Sequence, residues 1–103
     1  KKVYIIREID REIPLDDIAD AQGLDFDTLL DDIEAIIYSG TKLNIDYFLE
    51  DVMDEEKVDE IYDYFLTSTS DSINEALDEF DGEDISEEEI RLVRIKFLSE
   101  NAN

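Results

Sequence analysis

Apolar and polar positions along this chain form short one-faced runs separated by glycine, proline or serine-rich breaks. The clearest run lies between Leu15 and Gly40. Phe26, Leu29, Leu30, Ile33, Ile36 and Ile37 fall at i, i+3, i+4, i+7, i+10 and i+11, which predicts an amphipathic helix. Ahead of it, Leu15, Ile18 and Ala19 mark a shorter helix running into Gly23. Glycine reaches the positive φ that a tight inter-helix turn requires. Ala19 is small, so the two helices can approach closely. Two helices joined this way form a helix-turn-helix.

The flanking pattern fills in the rest. Val3 to Ile9 (VYIIREI) reads as a helix, with strand as the alternative because of its β-branched residues. Pro14 suits the entry to the next helix. After Gly40, which suits a helix stop, Leu43, Ile45 and Tyr47 alternate with polar residues. That alternation predicts a short strand over Lys42–Tyr47, where a wing would begin, so the wing is short or vestigial. Asp54 to Leu66 reads as a helix with Val58, Ile61, Tyr62 and Phe65 on one face. Thr67 to Ser70 is a polar break. Ser72 with Glu75 and Ser86 with Glu89 have capping-box spacing. The first box opens a helix through Phe80, with Ile73, Ala76 and Leu77 inward. Asp81-Gly82 is a turn. The second opens a helix to about Leu98, with Ile90, Val93 and Phe97 inward and Leu92 and Leu98 alongside. The expected fold is mainly α: a winged-helix-like helix-turn-helix plus a small helical bundle. It is read as one domain, with a front half over 1–48 and a helical half over 49–103.

Charge changes the picture. The 103 residues carry 31 Asp and Glu against 9 Lys and Arg, a net charge of −22, while the apolar fraction of 43% is ordinary for a folded chain. Such a surface repels phosphate backbones and anionic lipid and favours basic partners. The second helix of the pair, where a DNA-reading helix would sit, bears Asp27, Asp31, Asp32 and Glu34 and no basic residue. Reading a groove needs Arg, Lys, Asn or Gln, and phosphate neutralisation dominates affinity. This acidic face is therefore a candidate protein-binding surface. The cations cluster near the two ends: Lys1, Lys2, Arg7 and Arg11 at the start, and Arg91, Arg94 and Lys96 at the close. If the first and last helices pack together, these seven make one basic patch, the candidate nucleic-acid contact.

Other chemistry is thin. No Cys or His is present, which removes disulfides, Cys/His zinc sites and imidazole catalysis. The acidic runs invite a calcium loop, but placing Gly82 at position six puts Leu77 at the leading ligand position, and the match fails. No phosphate-binding glycine loop or nucleophile elbow occurs, so no catalytic residue, cofactor or metal ligand is assigned. The aromatics fall mostly on apolar stripes. Tyr64 is off its stripe and is the one candidate for base stacking. No stretch reads as a membrane span or signal peptide. The first residue is Lys1 rather than Met, which reads as a fragment of a longer protein.

The run PLDDIADAQGLDFDTLLDDIEAIIYSGTKLNIDYF, then DEEKVDEIYDYF, then INEALDEFDGEDISEEEIRLVRIKFL, resembles the helix-turn-helix module at the C-terminus of some bacterial RecQ-type ATP-dependent DNA helicases. The resemblance rests on the turn Ile18-Ala19 to Gly23-Leu24, Thr28-Leu29 opening the next helix, the segment after Gly40, and the run Ile85-Ser86 to Glu89-Ile90-Arg91-Leu92-Val93. It implies a parent enzyme that hydrolyses ATP and unwinds DNA 3′→5′ in repair and recombination. Such a parent has two helicase lobes, a zinc-binding segment, a winged-helix domain and often an HRDC domain. ATP, Mg and Zn then belong to the parent only, since no Walker A lysine, Asp-Glu-x-His box or zinc cysteine lies here. The resemblance further implies a bacterial cytoplasmic protein, nucleoid-associated through its parent. The expected partners are the remainder of the helicase or a basic protein, with DNA met only through the parent, and no membrane or small-molecule substrate. The alternatives are a direct DNA-binding module using the terminal cations and a stand-alone acidic adaptor or DNA mimic. The departure from the family pattern is the acidity of the second helix.

Overall fold

A computed structural model describes residues 2–101. Every regular element among them is a helix: α1 (Lys2–Asp10), α2 (Leu15–Gln22), α3 (Phe26–Tyr38), α4 (Asp46–Val52), α5 (Glu55–Thr67), α6 (Ile73–Glu79) and α7 (Glu87–Asn101). The segment VYII is helical. Ile5 and Ile9, four residues apart, are both buried, so the apolar period here is that of a helix.

The first three helices stop in the same way. At the end of α2, the amide of Leu24 donates to Ala19 and that of Gly23 to Asp20, with Gly23 at φ 67°. This is a Schellman cap, with the left-handed residue just past the helix. The end of α1 repeats it without a glycine: Ile13 donates to Glu8, Glu12 to Ile9, and Glu12 itself sits at φ 59°. At the end of α3 the left-handed residue is Gly40. Leu15, Ile18 and Ala19 of α2 pack on Leu29, Leu30 and Ile33 of α3 in one core that also takes in Ile5 and Ile9.

The strand over Lys42–Tyr47 does not form, and no wing starts there. Leu43 and Ile45 are buried, as alternation requires, but the segment has no partner strand. Two of its amides are satisfied by α7 or locally. The Leu43 amide donates to the Ser99 hydroxyl at 2.9 Å, and the Asp46 amide to the Asn44 side chain at 2.9 Å. The latter contact opens α4, which already includes Tyr47 and Phe48. The 48/49 division therefore falls inside a helix.

The back half is built around α7, which packs against α3, α4, α5 and α6. Ile90, Leu92, Val93, Ile95, Leu98 and Ser99 are all buried. These positions encircle the helix rather than mark one face, as expected of a central helix. Ser86 and Glu89 form a complete capping box: each backbone amide donates to the other's side chain, at 2.9 and 3.1 Å. At Ser72 only one arm exists. Its hydroxyl accepts from the Glu75 amide, while the Ser72 amide turns back to Ser70. α7 runs to Asn101, three residues past the expected end. Its last turn is held by Asn101 donating to the Phe97 carbonyl and by Tyr62 donating to Glu100 at 2.6 Å. Phe97 stacks on Phe65, and Tyr64 meets Phe65 and Phe80 edge-on. The Tyr64 ring is thus half-buried among aromatics.

Candidate functional site

α3 opens at Asp25, whose carboxylate accepts the Thr28 amide at 2.9 Å. Hydrogen bonding from the Thr28 hydroxyl, and then from its amide, holds the Asp25 carboxyl below the usual carboxylate range. Beyond the cap, Asp27, Asp31 and Glu34 lie at i, i+4 and i+7, so helical geometry puts them in one stripe. Asp32 lies on another face. It borders an apolar hollow between α1 and α3 with Lys2, Ile5, Ala35 and Ile36. The four acidic residues expected to act together are thus divided three and one.

The stripe meets the chain's own arginines. Arg91 of α7 lies 2.7 Å from Asp31, 3.5 Å from Glu34 and 3.7 Å from Asp27. Arg94, one turn on, reaches Glu34 at 3.2 Å and the Asp71 carboxylate at 3.5 Å. It also donates to the Asp71 carbonyl and the Tyr38 hydroxyl. The arginine side chains are only 13% and 12% exposed, whereas Asp27 and Asp31 are 82% and 69% exposed. The guanidiniums and Glu34 are covered, and Asp27 and Asp31 form the outer surface. Burial alone lowers the Arg91 pKa, but the hydrogen bond to Asp31 and the charges of Glu34 and Asp31 outweigh it, and the net shift is upward.

The other terminal cations are placed apart from this pair. α1 packs on α2 and α3, while α7 packs on α3 to α6. Lys2 donates to the Ser39 hydroxyl at 3.0 Å. Arg11 pairs with Glu8 at 3.0 Å. Lys96 pairs with Asp46 at 2.9 Å and Glu100 at 2.8 Å. Arg7 is exposed and makes no ion pair among the described residues. Lys1 lies outside the described residues.

Residues 1–49 match the family model described as RecQ-1-like, helix-turn-helix domain. The front of this chain is similar to a RecQ-1-like helix-turn-helix module. No curated protein matches the chain. The match spans α1 to α3 and ends inside α4. Within the matched span α2 and α3 are the pair joined by the Gly23 turn, and α3 is the second of them.

In a DNA-reading helix-turn-helix, residues near the N-terminus of that second helix touch base edges. In α3 these positions include Asp27 and Asp31, and Arg91 from the back half lies against them. An acidic edge held by an internal cation is a poor reader of a polyanion. Sequence reasoning identified both the carboxylates and the arginines but not that they meet. The available signal was matching helical spacing, i, i+4, i+7 on α3 against i, i+3 on α7. Among the described residues no group of acidic side chains has the arrangement to hold a metal ion, and no helix is long and apolar enough to cross a membrane.

Proposed function

We propose that this chain is a non-catalytic accessory domain of a RecQ-type ATP-dependent 3′→5′ DNA helicase, serving DNA repair and recombination through protein or interdomain contacts. ATP, Mg and Zn would be held by the parent's other domains. The observation that carries this reading is the pairing of Arg91 with Asp27, Asp31 and Glu34 on the second helix of a RecQ-1-like module. The fold is one used on DNA, yet its reading edge is acidic and engaged from within.

The surface charge supplies the alternative mode of action. With −22 on 103 residues, attraction is to basic protein surfaces. The DNA-binding face of a helicase is such a surface, and a domain docked there competes with DNA. Attraction between exposed charges is screened beyond about 8 Å at physiological salt. Docking of this kind is therefore salt-sensitive.

Isothermal titration of the chain against the remainder of its helicase tests the proposal. Binding that weakens steeply as salt is raised is expected. Absence of binding at low ionic strength would overturn it.

A further inference from the structure

Where α4 meets α5 lies a groove of about 400 Å³, open to solvent, with an apolar floor and an acidic rim. Leu49 and Met53 of the α4 side and Val58 of α5 make the floor. Asp46, Glu50, Glu55 and Asp59 make the rim. The spacing explains the arrangement. Asp46, Leu49, Glu50 and Met53 fall at i, i+3, i+4 and i+7, and Glu55, Val58 and Asp59 at i, i+3 and i+4. Met53 is extended and joins the two helices, so the two stripes converge on it.

Charge decides what the groove accepts. Among the described residues Lys96 is the only cation lining it, and its ammonium is already shared between Asp46 and Glu100. Glu50, Glu55 and Asp59 make no ion pair among the described residues. On the other side of α4, Asp46 and Glu50 also border a second hollow, of about 430 Å³, with Asp10, Glu12 and Tyr47. The acidic trough therefore continues to the α1–α2 turn. Burial, and then the charge of Glu12, push the Tyr47 hydroxyl up to about 12. Nucleic acid and anionic lipid are repelled by such a trough, and an uncharged ligand leaves its rim unanswered. Met53 is the single methionine of the chain, and its flexible thioether adapts to varied apolar side chains.

We propose that this groove docks a basic amphipathic segment of a protein partner, with its apolar side chains on Leu49, Met53 and Val58 and its Lys or Arg side chains on Glu50, Glu55 and Asp59. This is helix-in-groove recognition with electrostatic complementarity at the rim. The proposal rests on the accessory-domain reading above and names the surface and partner chemistry for it.

The test is an NMR titration of the isotope-labelled chain with a helical lysine–leucine amphipathic peptide at low ionic strength. Shifts concentrated over residues 46–59 are expected. Glu50→Lys with Asp59→Lys should weaken binding at least about tenfold, because two attractive pairs become repulsive. Both residues are exposed, so the fold should survive, and circular dichroism checks that it does. Asp78→Lys with Asp81→Lys, exposed charges on and just after α6, should weaken it by no more than about threefold through the change in net charge. Shifts spread over all the acidic segments, equal loss from both double reversals, or no binding would overturn the groove. Those outcomes leave the accessory-domain reading to the helicase titration. A groove-bound peptide with no binding to the helicase would instead retain the groove and remove that reading.

Discussion

Arg91 donates to the Asp31 carboxylate at 2.7 Å across 60 residues of chain, joining the central helix of the back half to the second helix of the helix-turn-helix. Arg91 is mostly covered, whereas Asp31 is mostly exposed. The arginine therefore contributes more than its partner, and the two single mutants should separate. Arg91→Ala removes charge-assisted bonds and leaves the half-buried Glu34 with one partner fewer, a loss of about 1.5–3 kcal/mol. Asp31→Asn removes one exposed carboxylate and should cost about 1 kcal/mol or less. Urea unfolding of both variants and the double mutant gives the coupling, expected at about 0.5–1 kcal/mol. An Arg91→Ala cost below that of Asp31→Asn would mean that the contact does not hold the halves together.

The two serine caps offer a matched comparison. Ser86→Ala breaks a box with both arms in place and should destabilise by about 1 kcal/mol. Ser72→Ala loses a single bond of 3.3 Å and should cost about half as much. Thermal unfolding of the two variants would rank them, and the reverse order would contradict the geometry.

Glu12 occupies the left-handed position that glycine holds at the ends of α2 and α3. A side chain there costs roughly 1–2 kcal/mol, part of which glycine returns through its greater freedom in the unfolded chain. Glu12→Gly should raise stability by about 0.5–1 kcal/mol and leave the helix content unchanged. A fall in melting temperature would show that the Glu12 side chain makes a compensating contact.

That residue also marks where sequence reading stopped. Gly23 and Gly40 announce their turns because glycine is the residue for positive φ, whereas Glu12 gives no such sign. Leu43 and Ile45 alternate as a strand would, yet alternation records only which side chains are buried. Strand formation also needs a partner, and here Ser99 takes that place. Apart from α4, the helices were legible from apolar spacing and caps. What sequence could not convey was the meeting of Asp31 with Arg91, because both residues look like solvated charges until α7 is found at the centre. The groove on α4 and α5 was hidden for a different reason, since the alternation over Lys42–Tyr47 reads as a strand that takes in the first two residues of α4.

Stability should pass through a maximum as the pH is lowered. Glu83 has its carboxyl pKa raised, first by the hydrogen bond with Glu60, so the folded state binds this proton more readily than the unfolded state. Stability then increases as pH falls toward the ordinary value of 4.5. Glu89 and Glu100 behave oppositely. Burial raises both, but the Ser86 amide and Lys57 at Glu89, and Lys96 and Tyr62 at Glu100, bring the net shift downward. Their contribution is present above 4.5 and disappears as pH falls through the lower folded values. A pH series of urea unfolding should show Glu83→Gln flattening the upper limb and Glu89→Gln the lower. Identical profiles for wild type and both variants would refute these assignments.

The role of the second helix is tested most directly by fluorescence anisotropy of a labelled forked DNA titrated with the chain at low ionic strength. With Arg91 and Arg94 held against Asp27, Asp31 and Glu34, no binding is expected at micromolar protein, and Arg91→Ala should not create any. Micromolar, salt-sensitive binding that disappears in Arg91→Glu with Arg94→Glu would contradict this, because it would mean that the two arginines serve DNA rather than α3.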